Sequence, residues 1–184
     1  MRHRIINLVV FQIGWFAFIY AGALNRDALA ALGFALVAGV HFATTKNRRA
    51  EAELMAASGA IGIILDSVLM NLGLLTFSSG FAIPYLCPFW FIALWLNFAT
   101  LLNVSLDWLK KSLPLAAVLG AVAGPGTYYA GARIGAVALH PDLWPSLIAI
   151  GIEWGLAFPA LLKLADLLVA RRSAARPIIP EVTA

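Results

Sequence analysis

The chain has 184 residues, of which 62% are hydrophobic and only 12% are charged. Soluble domains are about half apolar and about a quarter charged, so this composition indicates a membrane protein without a separate soluble domain. The net charge of +4 is spread over short basic clusters, which argues against a nucleic-acid partner. The single cysteine, Cys87, excludes an intrachain disulfide and a cysteine-based metal cluster.

Six apolar runs follow one another along the chain. An α-helix rises about 1.5 Å per residue, so about 20 apolar residues cross a hydrocarbon core of about 30 Å. We therefore predict an all-α bundle of six transmembrane helices over residues 1–170, with a basic, disordered cytoplasmic tail over residues 171–184. No strand pattern competes with this interpretation. The predicted helices cover residues 5–24, 28–45, 54–76, 84–111, 114–136 and 145–170.

The first run also has the basic start and small residues of a signal peptide. It is long for that purpose, and Gln12 and Trp15 suit a permanent helix that packs on its neighbours. We therefore predict that the first helix is retained.

Lysine and arginine residues cluster at alternate connections between the runs. By the positive-inside rule, this alternation places both termini in the cytoplasm of a bacterial inner membrane, with Cys87 near the outer face. Arg26 and Arg133 fall toward the other side. The clusters on the cytoplasmic side are Arg2 with Arg4, Lys46 with Arg48 and Arg49, Lys110 with Lys111, and Arg171 with Arg172 and Arg176.

The fourth run carries polar residues along one side of its predicted helix, namely Asn97, Thr100, Asn103 and Asp107. Polar side chains that face hydrocarbon are costly, so this side is predicted to face protein. Phe98 and Leu102 are predicted to face lipid or the outer packing layer. Pro84, Pro114 and Pro145 are predicted to stand in the first turns of their helices, where a missing N–H costs nothing.

Small residues mark the faces on which the third and fifth helices are predicted to pack. The stripes are Gly59, Gly62 and Gly73 beside Asp66, and Gly120, Gly124, Gly131 and Gly135 beside Tyr128. Pro125 is expected to kink the fifth helix. A broken helix that lines a binding site is the alternative interpretation of this proline.

Asp66 and Glu153 are the two acids predicted to lie deep in the membrane. Counting residues at about 1.5 Å each places both about 12 Å below the outer surface, so we predict that they share a site. Such a pair would hold a proton and suit cation or proton binding; a purely structural hydrogen bond is the alternative. Arg133 either reaches toward that depth or extends to the headgroups. The full candidate polar interior site comprises Gln12, Asp66, Asn97, Asn103, Tyr128, Arg133 and Glu153.

Familiar catalytic patterns do not occur in the sequence, which contains no H-E-x-x-H, no G-x-S-x-G and no P-loop. His41 and His140 are predicted near opposite membrane faces, too far apart for one metal site. We therefore predict no catalytic, cofactor-binding or metal-binding residues and no cofactor.

Several stretches together resemble a family of small bacterial inner-membrane proteins that is catalogued only as a domain of unknown function. The similarity lies in residues 7–16, 65–67, 88–90, 94–95, 102–109, 124–128 and 131–136. Genes of that family often stand near cyclopropane-fatty-acid-synthase-like methyltransferases, so the resemblance implies a link to membrane-lipid modification. It implies no catalytic residue, because the family has no established activity.

The sequence is compatible with three functions. The first is a non-enzymatic accessory that serves a lipid-modifying, membrane-associated enzyme in the bilayer. The second is a small-solute or ion transporter, or its membrane-embedded substrate-binding component. The third, and weakest, is a membrane enzyme that acts on lipid, and the sequence leaves the oligomeric state undecided.

Overall fold

A computed structural model describes residues 2–79 and 83–174 of the chain. Within these ranges the chain forms six α-helices, one 3₁₀ turn and two short strands, so the predicted all-helical class and helix count are confirmed. In chain order the elements are α1 (Arg2–Ala23), α2 (Asp27–Thr44), α3 (Arg48–Asn71), β1 (Leu75–Phe77), α4 (Phe89–Leu102), the 3₁₀ turn (Asp107–Lys111), α5 (Leu113–Ile134), β2 (Val137–Leu139) and α6 (Leu143–Ala174).

Four of the helices, α1, α2, α3 and α6, are long and apolar enough to cross a membrane. Helix α4 has 14 residues and is therefore only about 21 Å long. The length and composition of these four helices are typical of a membrane protein. That all six helices cross the membrane remains a prediction.

Helix α4 lies at the centre of the bundle, because α1, α2, α3 and α6 all pack against it. Trp90 and Asn97 lie on one side of this helix and Trp95 and Leu102 on another, and all four are buried. Of the two alternatives predicted for Leu102, lipid or an outer packing layer, its burial excludes lipid, while Phe98 is half-buried. A helix surrounded by four others has little surface left for lipid.

The fourth predicted helix is much shorter than residues 84–111. Pro84 lies in a turn, and Pro88 is the residue that precedes the first turn of α4. At the other end Asn103 leaves the helical conformation, and its side chain bonds to Glu51 of α3 instead. Asp107 belongs to the 3₁₀ turn, so it does not continue the polar side of α4.

The two strands pair antiparallel, with Leu75 opposite Leu139 and Phe77 opposite Val137. No strand was predicted, and the third run was expected to remain helical to Thr76. Gly73 and Gly135 instead adopt positive φ angles of 72° and 91° just beyond the ends of α3 and α5. Glycine tolerates this conformation, so these two residues terminate helices rather than mark packing faces.

Helix α6 continues through Ala174, so the first four residues of the predicted tail are helical. Arg172 forms an ion pair with Glu53 of α3, which fixes the end of α6 against the start of α3. The rest of the predicted tail, residues 175–184, lies outside the described residues.

Candidate functional site

Asp66 lies on α3 in the middle of the bundle and is completely buried. Gly62, one turn earlier, allows α4 to approach, because a Cβ atom there would stand 2.2 Å from the Trp95 ring. The indole N–H of Trp95 donates a hydrogen bond to Asp66 Oδ2 over 2.5 Å. The hydroxyl of Tyr128, on α5, donates to Asp66 Oδ1 over 2.6 Å. Three helices therefore meet at this carboxyl group.

Glu153 and Trp154 bring α6 to the same place. The Trp154 ring stacks on Trp95 at a centroid distance of 4.5 Å, and its N–H points at the Tyr128 hydroxyl over 3.4 Å. Close contact between α5 and α6 depends on Gly124, where a Cβ would lie 2.6 Å from the Trp154 ring. The neighbouring Glu153 is only 7% exposed.

Neither carboxyl oxygen of Glu153 has a hydrogen-bond partner in the described part of the chain. Tyr128 has one hydroxyl proton, and Asp66 accepts it. Glu153 nevertheless interacts electrostatically with both Asp66 and Tyr128. We call Asp66, Trp95, Tyr128, Glu153 and Trp154 the acid–aromatic cluster. The alternative of a direct structural hydrogen bond between the two acids is wrong, because Glu153 bonds to nothing there.

An apolar crevice of about 370 Å³ runs beside this cluster. Trp95, Tyr128 and Trp154 form part of its wall, and α1 contributes Phe11 and Trp15. On α5 the lining extends from Leu119 to Gly131, a distance of about 18 Å along the helix. No charged side chain lines the crevice among the described residues.

The crevice reaches the surface of the protein along α5. Leu119, Ala123 and Thr127 follow one another at four-residue spacing, line the crevice and are exposed. The sequence predicts that α5 crosses the membrane, so we expect this opening to face acyl chains.

A second buried polar group lies where α2, α3 and the 3₁₀ turn meet. Glu51 of α3 is 3% exposed, and its Oε2 lies 3.0 Å from His41 Nε2. Its other oxygen accepts a hydrogen bond from Asn103 over 2.9 Å, and Asn103 accepts one from Lys110 over 2.7 Å. Lys110 also pairs with Asp107 over 2.9 Å. We call these five residues the Glu51 network.

Comparison with known proteins places the chain in a family. A family model described as "Protein of unknown function (DUF2878)" matches residues 4–160. The chain belongs to the DUF2878 family. This confirms the resemblance that the sequence indicated. No curated protein and no solved structure matches the chain.

The residues of the acid–aromatic cluster all lie within the segment matched by the DUF2878 model. Sequence reasoning named Asp66, Tyr128 and Glu153, and the structure brings these three together. Neither Trp95 nor Trp154 was among the predicted site residues. The missing signal was the direction of the two indole N–H groups, which depends on how each helix is rotated about its axis.

The other four candidate residues lie elsewhere in this DUF2878 protein. Asn97 donates to the backbone carbonyl of Phe11 over 2.9 Å and so joins α4 to α1. Asn103 belongs to the Glu51 network. Gln12 and Arg133 are exposed at the surface and take no part in an interior site. The seven predicted residues therefore do not form one polar interior.

No group of three or more His, Cys, Asp or Glu side chains is arranged to hold a metal ion within residues 2–79 and 83–174.

Proposed function

We propose that this protein is a polytopic inner-membrane protein that binds a lipid-like molecule in the lateral crevice, as a non-enzymatic accessory of membrane-lipid modification. The observation that supports the proposal is the crevice itself, with its apolar lining and its opening along α5.

The dimensions of the crevice fit a single hydrocarbon chain. Its volume of about 370 Å³ lies within the range of about 300–1,000 Å³ typical of ligand pockets. Its length of about 18 Å is little more than half of a hydrocarbon core of about 30 Å, so it matches one leaflet. An apolar cavity offers water few hydrogen bonds, which favours an acyl chain as its occupant.

The proposed topology has six crossings and both termini in the cytoplasm. Contacts in the structure bring the basic ends of the helices to one side of the bundle. Arg172 of α6 pairs with Glu53 of α3, and Ser105, after α4, lies 2.6 Å from the Asn7 side chain of α1. The Glu51 network adds Lys110 to the same end. A C-terminal alkaline phosphatase fusion should be inactive and a C-terminal fluorescent-protein fusion bright; the reverse pattern would overturn this topology.

A second candidate function, transport of a small solute or ion, is favoured by the acid–aromatic cluster. Ionisable residues within membrane segments are costly and commonly mark substrate or ion pathways. In both candidate functions a molecule binds in the crevice. Only in the second does that molecule cross the membrane.

Lipid retention tests the crevice directly. The variant Ala123→Trp would fill the crevice from its open side, whereas the matched variant Val122→Trp adds the same ring at a neighbouring position that is 71% exposed. After stringent delipidation in detergent, native mass spectrometry should show a retained lipid on the wild type and on Val122→Trp but not on Ala123→Trp. Equal retention by both variants would place the bound lipid outside the crevice.

A further inference from the structure

The acid–aromatic cluster holds acidic groups without a basic partner. Asp66 accepts two hydrogen bonds, but both donors, Trp95 and Tyr128, are neutral groups. Two donated hydrogen bonds favour the ionised carboxylate, since a protonated acid would need an acceptor as well. In the described part of the chain, no lysine, arginine or histidine side chain pairs with Asp66 or Glu153.

This negative charge is costly to the protein alone. A carboxylate in the interior of a membrane protein is normally balanced by a cation or by a rich set of donors. Glu153 has neither, because both of its oxygens are buried and unpartnered. Buried polar groups in native proteins nearly always have a hydrogen-bond partner. In a ligand-binding protein, the ligand can supply the partner that the protein lacks.

The crevice places a ligand next to this charge. Tyr128 donates to Asp66 from one side and lines the crevice on the other. Trp95 connects the two places in the same way, and Trp154, whose N–H donates to the Tyr128 hydroxyl, lines the crevice beside it. The described lining has no charged group of its own, and the Asp66 carboxyl group lies directly behind Tyr128 and Trp95, which form part of the wall.

We propose that the crevice selects hydrophobic cations: molecules with an alkyl or aryl body and one positive charge that lies against the wall formed by Trp95, Tyr128 and Trp154. The cation balances the Asp66 carboxylate across a medium of low dielectric constant, where charges interact strongly. An anion of the same shape is repelled, and a neutral analogue gains only from apolar contact. This inference rests on the proposed function, because it names the ligand class for the same crevice.

Two ions of nearly identical shape and opposite charge test the selection. Tetraphenylphosphonium, tetraphenylborate and the neutral triphenylphosphine oxide are added separately to the full chain in an uncharged detergent, and the melting temperature is followed as each is titrated. We expect tetraphenylphosphonium to bind the wild type at least about tenfold more tightly than the neutral compound. Tetraphenylborate should bind more weakly than either.

Two variants connect the preference to the carboxylate behind the wall. Asp66→Asn keeps the shape of the side chain and removes its negative charge, so it should lose most of the preference for the cation. Asp166→Asn, which removes an exposed acid of α6, should keep it. If Asp66→Asn fails to fold, the comparison of the three compounds on the wild type still decides whether the crevice selects cations.

The outcomes separate this inference from the proposed function. Equal binding of all three compounds to the wild type, or an unchanged preference in a folded Asp66→Asn variant, would overturn cation selection and leave the crevice standing as a binding site. Binding of none of the three would overturn cation selection, and failure of the lipid-retention experiment as well would overturn the proposed function.

Discussion

Two buried acidic groups in this protein have opposite surroundings. In the Glu51 network, the carboxylate has a histidine on one oxygen and an asparagine on the other, and the chain of contacts continues to Lys110. In the acid–aromatic cluster, Asp66 has only neutral donors and Glu153 has no partner in the described part of the chain.

The difference separates structural acids from candidate functional ones. A buried carboxylate that is paired and fully hydrogen-bonded holds helices together and has no capacity left for a ligand. A buried carboxylate whose charge the protein does not balance is suited to interact with something else. Burial alone therefore does not identify the functional acid. The hydrogen-bond and ion-pair partners of each buried acid identify it.

The largest effect is expected from Glu51→Ala. The change would leave His41 and Asn103 buried without their partner, and breaking a buried pair on one side typically costs about 3–5 kcal/mol. We expect a loss of stability of about 3 kcal/mol in a detergent-unfolding series. The control, Glu53→Ala, removes a partly exposed ion pair with Arg172 and should cost less than about 1 kcal/mol. Similar losses in the two variants would show that the Glu51 network is not a structural support.

A smaller loss is expected from Gly62→Ala, which targets the contact between α3 and α4 beneath the acid–aromatic cluster. The new methyl group would stand 2.2 Å from the Trp95 ring, so the ring must move and its bond to Asp66 must stretch or break. Overpacking of this kind typically costs about 1–3 kcal/mol. Gly39→Ala in α2 meets no atom within 4 Å and should instead be neutral or stabilising by up to about 1 kcal/mol. A stable Gly62→Ala variant would mean that the two helices are farther apart than described.

The smallest expected effect is on the alkylation rate of Cys87, which depends on the charge of Asp66. Cys87 lies in the connection between β1 and α4, where burial, followed by the negative charge of Asp66, raises the pKa of its thiol from 9.0 to about 12. The reactive thiolate is therefore scarce at pH 8, and alkylation should be about 1,000-fold slower than in the unfolded chain, rising with pH.

Asp66→Asn should lower this pKa and speed the alkylation of Cys87 at constant pH. Ser67→Ala, which removes the hydroxyl that accepts the Cys87 backbone N–H, serves as a control for local loosening. That hydroxyl lowers the pKa of the Cys87 thiol, so faster alkylation in Ser67→Ala would report loosening and not a change in pKa. A rate that is unchanged in Asp66→Asn would contradict a negative charge on Asp66.

Much of the fold could be predicted from the sequence, because each helix is a long apolar run and lipid leaves the backbone few alternatives. The ends of the helices were harder. Residues 75–77 are as apolar as the helix before them, so composition could not show that Gly73 ends α3 and that a strand follows. The central position of α4 depends on four packing partners, which no single run of residues specifies.

The candidate site could be predicted only in part. Asp66 and Glu153 were identifiable because acids are rare within apolar runs. Glu51 lay outside the predicted helices, between residues 45 and 54, since nothing local shows that α3 begins at Arg48 and turns this side chain toward His41. The partners of a buried acid come from other helices, so the distinction between the two acidic groups appears only in three dimensions.

The most direct test of this distinction compares Glu51→Gln with Glu153→Gln. Both changes are nearly isosteric and remove one carboxylate from the interior, and both can be followed by unfolding in the same detergent. We predict a clear loss of stability for Glu51→Gln, because its contact with His41 depends on the carboxylate. We predict no loss, or a gain, for Glu153→Gln, because that carboxyl group has no partner to lose. A loss in Glu153→Gln as large as that in Glu51→Gln would contradict the account, since it would show that Glu153 is a structural acid held by the protein itself.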